Sequence, residues 1–260
     1  MVIIGLLLAV LVGLSVSLLG GGGAILTVPI FFYVLGFGTK EAVASSLAVV
    51  GVTSLSGAVS HWREGRIRLR VALTFGIFAT VGAYLGAWLA VFFSSAAQLT
   101  LLAVVMVVAA FFMFRDNKSD EDEEDAESES HSIMQMPLGR AVGLAVLAAV
   151  VGALTGLVGV GGFLMVPALV LVGQVPTKEA LGSSLLVIVM ISASGFVGYL
   201  GKVEIQWGLM AIFAALAVAG SFAGAYLVRF VPQVTLRKLF AVFLVLMSIF
   251  ILYQYLGEFF

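Results

Sequence analysis

Long apolar stretches separated by short polar breaks dominate the chain. Apolar segments lie at 2–19, 23–36, 41–60, 71–93 and 98–114, and after a polar stretch at 140–158, 162–173, 179–200, 206–228 and 239–256. Most approach the roughly 20 residues that a helix needs to cross the hydrocarbon core of a bilayer. Segment 23–36 is too short, because fourteen helical residues rise only about 21 Å against a core of about 30 Å. Segment 162–173 is shorter still. The pattern predicts an all-α polytopic membrane protein that includes two short, broken helices.

The composition leads to the same class of protein. Hydrophobic residues make up 62% of the 260 residues and charged residues 10%, and the mean hydropathy is +1.20. Soluble domains carry about 45–50% apolar and about 25% charged residues. A chain of this size cannot bury so much apolar surface in its own interior, so lipid must solvate it. We expect a multi-pass protein of the inner or plasma membrane, with the bilayer as its partner and no nucleic acid.

The chain contains an internal duplication. Under a shift of 138 positions, residues 23–57 match residues 161–195 at sixteen of 35 places. The matches include Gly23 with Gly161, Pro29 with Pro167, a Thr-Lys-Glu-Ala block at 39 and 177, and a Ser-Ser-Leu block at 45 and 183. Such repeats are typical of secondary transporters. We predict a first repeat over 1–114, a connector over 115–139 and a second repeat over 140–260.

The placement of basic residues favours one orientation of the halves. If each half spans five times and the N-terminus is outside, all of the 13 basic residues except Lys40 and Lys202 face the cytoplasm. If 23–36 and 162–173 are instead re-entrant, the repeat is parallel and five basic residues fall outside. The positive-inside rule therefore predicts five segments per half in an inverted-topology repeat.

The connector is strongly acidic, with nine of the fourteen acidic residues between Asp116 and Glu129. It contains too few apolar groups to offset the entropy of ordering, so we expect a disordered cytoplasmic linker. A cation-sensing or regulatory tail is the alternative.

The apolar segments carry no Asp, Glu, Lys or Arg at their centres, where each would cost about 2.5–3.5 kcal/mol on insertion scales. Cysteine is absent, and His61 and His131 are the two isolated histidines. The sequence therefore predicts no metal site, no cofactor and no catalytic nucleophile–base pair, which argues against an enzyme.

Glycine-rich turns precede both short segments. A helix that begins there presents unpaired N–H groups and about half a positive charge, which suits an anion. The substrate-binding candidates in these turns are Gly21, Gly22, Gly23, Gly159, Gly161 and Gly162. Close helix packing is the alternative, and it is the interpretation favoured for the scattered glycines Gly82, Gly86, Gly220 and Gly224.

Serine pairs supply the other candidate donors: Ser45, Ser46, Ser183 and Ser184. The alternative is a hydrogen bond to a carbonyl of the same or a neighbouring helix, which we favour for Ser54, Ser56, Ser192 and Ser194. Thr39 and Thr177 are the expected N-caps of the helices that carry the pairs. Glu41 and Glu179 lie in the first turns, where the dipole favours acids. A gating role for the Lys-Glu pairs is the alternative.

The duplicated pattern of a glycine-rich turn, Pro, Thr-Lys-Glu-Ala and Ser-Ser-Leu resembles the TauE/SafE sulfite exporter family over nearly the whole chain except the connector. The resemblance implies an inner-membrane transporter for sulfite, organosulfonates or related sulfur oxyanions, driven by an ion gradient. A proton could be the coupling ion, because sulfite titrates near neutral pH. An anion channel, or an uptake carrier for thiosulfate or another small anion, is the alternative. The residues leave transport direction and oligomeric state open.

Overall fold

The computed structural model describes residues 2–18, 22–63, 65, 67–115, 138–159, 165, 169, 177–227 and 233–256. The described helices are α1 (Val2–Leu18), α2 (consecutive turns Gly22–Leu26, Thr27–Pro29 and Ile30–Val34), α3 (Thr39–Arg63), α4 (Leu69–Ala90), α5 (Ser95–Arg115), α6 (Leu138–Val158), α7 (Thr177–Tyr199), α8 (Trp207–Leu227) and α9 (Gln233–Leu256). Helices satisfy backbone polar groups within one segment, which lipid requires. The acidic run of the connector, and segment 162–173 apart from Met165 and Leu169, lie outside the described residues.

Five of these helices contain stretches long and apolar enough to cross a membrane: Thr39–Arg63, Leu69–Ala90, Ser95–Met113, Glu179–Tyr199 and Trp207–Gly224. Their exposed faces carry large apolar side chains, as the lipid-facing surface of α4 illustrates. Ile77, Val81 and Trp88 are exposed there, whereas Ala79, Ala83 and Ala87 on the opposite face are fully buried. So much exposed apolar surface marks contact with lipid. The predicted all-α polytopic membrane fold is confirmed.

Helix α2 is short and irregular, as the sequence predicts for 23–36. It starts as a 3₁₀ turn, continues through one α turn and ends in a wide π turn. Pro29 supplies no N–H group to the helix, and the N–H of Leu35 bonds the carbonyl of Ile30, five residues back, at 3.1 Å. Gly36 then ends the helix with φ +75°. On α2, the fully buried Phe31 contacts Phe213 of α8, with ring centroids 4.7 Å apart.

Glycine packing joins each half to the other. A Cβ on Gly82 or Gly86 of α4 would overlap the carbonyl oxygen of Ala149 or Ala153 of α6, respectively. In the same way, Gly220 and Gly224 of α8 lie against the backbone of α1 at Val10 and Leu14. In each pair, residue numbers rise together along the two helices from one contact to the next. Helix α4 therefore runs parallel to α6, and α1 runs parallel to α8. The packing role predicted for these four glycines is confirmed.

Helices α3 and α7, which correspond under the repeat, cross in opposite directions. Leu47 contacts Gly195, Gly51 contacts Ser192, and Gly57 contacts Leu185. Residue numbers rise along α3 as they fall along α7, so the two helices are antiparallel. A parallel repeat would require equivalent helices to run the same way. The inverted repeat remains a prediction, which this crossing supports.

Candidate functional site

The buried polar side chains of the described residues are neutral. They comprise hydroxyls and one amide: Ser15, Thr27, Thr39, Ser45, Ser46, Thr53, Ser54, Gln98, Thr155, Ser183, Ser184, Ser192, Ser221 and Ser248. The described part of the chain contains no group of three or more His, Cys, Asp or Glu side chains that could hold a metal ion. Any charged ligand inside this part of the protein would therefore be held by hydroxyls, an amide and peptide groups.

The glycine turn of the first half packs against α1. Gly21 lies outside the described residues, and α2 begins at Gly22. Gly23 is buried, and a Cβ there would lie 2.5 Å from the backbone nitrogen of Val16. The close approach of α1 and α2 therefore requires glycine at this position. Its role in substrate binding stays a prediction.

In the second half, Gly159 ends α6. It has φ +79°, and its N–H donates to the carbonyl of Thr155 at 2.7 Å. The amide of Gly159 is therefore engaged in a helix C-cap, and the nearby end of α6 is the carbonyl end. Gly161 and Gly162, which would begin the following segment, lie outside the described residues.

The structure brings Ser46 of the first half against Gly159 of the second. Ser46 Oγ donates to the carbonyl of Val43 at 2.7 Å and lies 3.4 Å from the carbonyl oxygen of Gly159. A Cβ on Gly159 would lie 2.6 Å from Ser46 Oγ and 2.9 Å from Val28 Cγ2. One predicted serine and one predicted glycine thus meet across the two halves.

The two serine pairs, by contrast, lie at opposite ends of the α3–α7 crossing. Ser46 precedes the contact of Leu47 with Gly195, and Ser184 precedes the contact of Leu185 with Gly57. Positions 47 and 57 are ten residues apart on α3, which corresponds to about 15 Å. The pairs therefore do not share one binding site in this conformation.

Members of the pairs also differ in their hydrogen bonds. Ser46 and Ser184 donate to carbonyls three residues back on their own helices. Ser183 Oγ accepts the N–H of Arg68 at 3.0 Å. Ser45 Oγ is fully buried and has no hydrogen-bond partner among the described residues. Of the four candidate serines, Ser45 is thus the one whose hydroxyl has no hydrogen-bond partner among the residues that the structure describes.

Ser54 and Ser192 lack, among the described residues, the hydrogen bond to a helix carbonyl that the sequence predicted for them. These repeat-equivalent residues are fully buried, and within the described part of the chain neither hydroxyl has a partner. Ser192 contacts Gly51 at the crossing, and Ser54 lies one turn beyond Gly51 on α3. Their identity in the duplicated block was the available signal. The neighbouring Ser56 and Ser194 instead bond Ser221 and the carbonyl of Thr80.

The first-turn acids each contact a loop of the opposite half. Glu179 forms an ion pair with Arg68, and Glu41 accepts the N–H of Gln206 at 3.3 Å. Arg68 and Gln206 differ by 138 positions, so the two contacts are counterparts under the repeat. The first hydrogen bond of α3 runs from Ala42 N–H to Gly38 O, so Gly38, rather than Thr39 as predicted, is the N-cap.

Comparison with known proteins identifies the family. The family model described as sulfite exporter TauE/SafE matches residues 5–251. A probable membrane transporter protein of Xylella fastidiosa (strain 9a5c) is 28% identical over 248 residues, which cover 94% of this chain and 92% of that protein. The probable membrane transporter protein YdhB of Bacillus subtilis (strain 168) is 26% identical over 248 residues, covering 92% and 94%.

A third relative, the probable membrane transporter protein MJ0441 of Methanocaldococcus jannaschii, is 28% identical over 196 residues, covering 73% of this chain and 69% of that protein. No solved structure matches the chain. The family and these relatives are membrane transporters and not enzymes. With a family model matched over nearly its whole length, this chain belongs to the sulfite exporter TauE/SafE family.

Proposed function

We propose that this chain carries a small sulfur oxyanion, such as sulfite or an organosulfonate, across the membrane by alternating access. The observation that carries the proposal is a pair of buried hydroxyls, those of Ser54 and Ser192, at the crossing of two repeat-equivalent helices; neither has a hydrogen-bond partner among the described residues. Membrane-buried hydroxyls usually bond a carbonyl of their own helix, as Thr53 and Ser248 do here. Two exceptions at matched positions suit a ligand that binds between the repeats.

An oxyanion accepts hydrogen bonds, so hydroxyls can hold it without a basic side chain. A hydrogen bond to a charged group contributes about 1.5–3 kcal/mol, and a helix N-terminus about 0.3–1 kcal/mol. Two serines and the glycine-rich start of α2 would therefore bind the anion weakly enough to release it, as transport requires. The glycine turns at 21–23 and 161–162 remain part of this proposal through their peptide N–H groups.

Loop contacts at the two ends support alternating access. Ser183 accepts the backbone N–H of Arg68 while the Arg68 side chain pairs with Glu179, so a loop of the first half closes this end of α7. At the opposite end of the crossing, the Ser45 hydroxyl has no partner among the described residues. In the proposed cycle the halves rock against each other, and the contact at Glu179 opens as its counterpart at Glu41 tightens.

The test is sulfite flux into proteoliposomes containing the Ser54→Ala/Ser192→Ala variant. We expect the half-saturating sulfite concentration to rise at least about tenfold, because each lost hydrogen bond to a charged group is worth about 1.5 kcal/mol or more. Ser248→Ala is the matched control, since Ser248 is equally buried but donates to Val245 O at 2.8 Å on α9. Unchanged half-saturation in the double variant would reject the site. If the wild-type protein shows single-channel currents and no counterflow, it is instead a channel.

A further inference from the structure

A polar cluster at the C-terminal end of α6 plays no part in the proposed anion site. Gln98 of α5 donates through Nε2 to the carbonyl of Leu157 at 2.5 Å and to Tyr199 Oη of α7 at 3.2 Å. Tyr199 Oη lies 3.3 Å from the same carbonyl. Gln98 is 1% exposed and Tyr199 is fully buried. Side chains from two other helices therefore converge on one helix end inside the protein.

The electrostatics of this end favour a positive charge. The last carbonyls of a helix have no partner within the helix and carry about half a negative charge. Gln98 adds Oε1, which is buried and has no hydrogen-bond partner among the described residues. The carbonyl oxygen of Gly159 lies two residues beyond Leu157. A buried acceptor without a donor requires an explanation, such as a bound ion.

Two described basic side chains, one on α3 and one just beyond α7, are engaged elsewhere. Lys40 donates to the carbonyl of Val91 at 2.6 Å, and Lys202 lies over the ring of Trp88, 5.7 Å from its centroid. The described residues of the cluster contribute carbonyl, amide and hydroxyl oxygens but no carboxylate. Hard oxygen ligands without formal charge suit a monovalent cation better than a divalent one, and helix C-terminal ends and free carbonyls coordinate Na⁺ in other transporters.

We propose that Na⁺ binds at the end of α6 between Gln98 and Tyr199, with the Leu157 carbonyl as the shared ligand. Bound Na⁺ turns the Gln98 amide so that Oε1 rather than Nε2 faces the carbonyl of Leu157. The repeat counterparts of Gln98 and Tyr199 are Leu236 and His61, so the second half lacks this pair. The proposal therefore places no equivalent site at the repeat-related position.

The position of the site links it to anion transport. Ser46 contacts the carbonyl of Gly159 at 3.4 Å, and the residue before it on α3 is Ser45, whose hydroxyl has no partner in the described part of the chain. A cation at the end of α6 would favour an anion nearby, and each ion would raise the affinity for the other by the same factor, about fivefold or more. This coupling rests on the proposed function, whereas Na⁺ binding itself does not.

Na⁺ binding is tested on purified protein without any sulfur anion. The melting temperature is compared in sodium gluconate and choline gluconate at equal ionic strength, alongside binding of ²²Na⁺. We expect saturating Na⁺ to raise the melting temperature by about 5 °C and to label one site per chain. Equal melting temperatures in the two salts, without ²²Na⁺ binding, would overturn the proposal.

Substitutions of Gln98 separate a cation ligand from a simple helix cap. Gln98→Leu removes the ligand and is expected to abolish ²²Na⁺ binding. Gln98→Glu removes the N–H donors but keeps two side-chain oxygens. If Gln98 only caps α6, this variant is therefore destabilised in every salt. If the side chain at position 98 binds Na⁺, the stability of the Gln98→Glu variant is restored by Na⁺ and not by choline. Failure of that rescue counts against the site. If Na⁺ binds but the Ser54→Ala/Ser192→Ala variant transports normally, the proposed anion site fails and the sodium site stands.

Discussion

The side chain of Leu47 lies against Gly195, whose added Cβ would be 3.1 Å from Leu47 Cδ1. The counterpart under the repeat is equally close, since a Cβ on Gly57 would lie 3.1 Å from Leu185 Cδ1. The same leucine-to-glycine contact therefore occurs twice, once on each side of the α3–α7 crossing. Such a reciprocal pair is the arrangement expected when two equivalent helices meet about a pseudo-two-fold axis.

Glycine-to-alanine substitutions are expected to lower stability according to what the new Cβ meets. Gly86→Ala should destabilise most, by about 1–3 kcal/mol, because the Cβ overlaps the backbone carbonyl of Ala153 and one helix must move. Gly195→Ala should cost less, because it meets the flexible end of Leu47. Denaturant titration of each variant in detergent would measure its free energy of unfolding.

Gly208→Ala is the control for that series. No atom lies within 4 Å of its added Cβ, and the residue lies on α8, so alanine should be neutral or should stabilise the helix by about 0.5–1 kcal/mol. Destabilisation of Gly208→Ala as large as that of Gly86→Ala would show that packing is not the cause.

Removing either central hydroxyl is expected to stabilise the protein while weakening transport. Ser192→Ala eliminates a buried oxygen that has no partner in the described part of the chain, so the free energy of unfolding should rise by about 1 kcal/mol. Ser54→Ala should behave alike, whereas Ser184→Ala loses a bond to Leu181 O at 2.8 Å and should gain no stability. Thermal unfolding and sulfite flux, measured on the same preparations, test whether higher stability and weaker transport occur together. A central variant that is less stable than the wild type would indicate that its hydroxyl has a structural partner.

Exchanging the residues that contact the first-turn acids should shift the equilibrium between the two access states. Arg68→Gln replaces the ion pair with Glu179 by the side chain found at the counterpart position, Gln206. We expect the end of α7 near Ser183 to open more often, by up to about fivefold, since partly exposed ion pairs contribute up to about 1 kcal/mol. Gln206→Arg should favour closure at the opposite end, near Glu41.

The native chain contains no cysteine, so labelling of single introduced cysteines reports opening without background. Ser184→Cys in the Arg68→Gln background should react faster with a maleimide than Ser184→Cys alone. Equal rates in both backgrounds would argue against the Glu179 contact as a gate.

The same cysteine-free chain allows the orientation of the halves to be tested. With Glu204→Cys, between α7 and α8, an inverted repeat predicts labelling by an impermeant maleimide from outside intact cells. The parallel alternative places this loop inside. Ser94→Cys should be labelled from outside in both arrangements, and Ser119→Cys in the connector should be protected in both. Protection of Glu204→Cys would contradict the inverted repeat.

Local sequence pattern predicted the helices well because the cost of placing a segment in lipid depends mainly on its own residues. Segment 71–93 corresponds to α4 at Leu69–Ala90, and 206–228 to α8 at Trp207–Leu227. Gly82 and Gly220 were likewise assigned to packing, because small residues within apolar helices suit close helix contacts. The N-cap at Thr39 was wrong by one residue, since helix ends depend on local backbone geometry that propensity locates poorly.

The sequence by itself determined a charge-poor membrane protein, its helical segments and its duplication, since these follow from hydropathy, helix length and residue identity. Only the tertiary structure decided which hydroxyls lack partners. Ser45 and Ser46 are adjacent and alike in sequence, yet within the described residues Ser46 alone has acceptors, one of them 113 residues away at Gly159. The sequence pattern likewise did not predict the hydrogen bond from Gln98 to the carbonyl of Leu157, 59 residues away. Hydrogen-bond satisfaction depends on which distant helices pack together, and that choice is made by the whole fold.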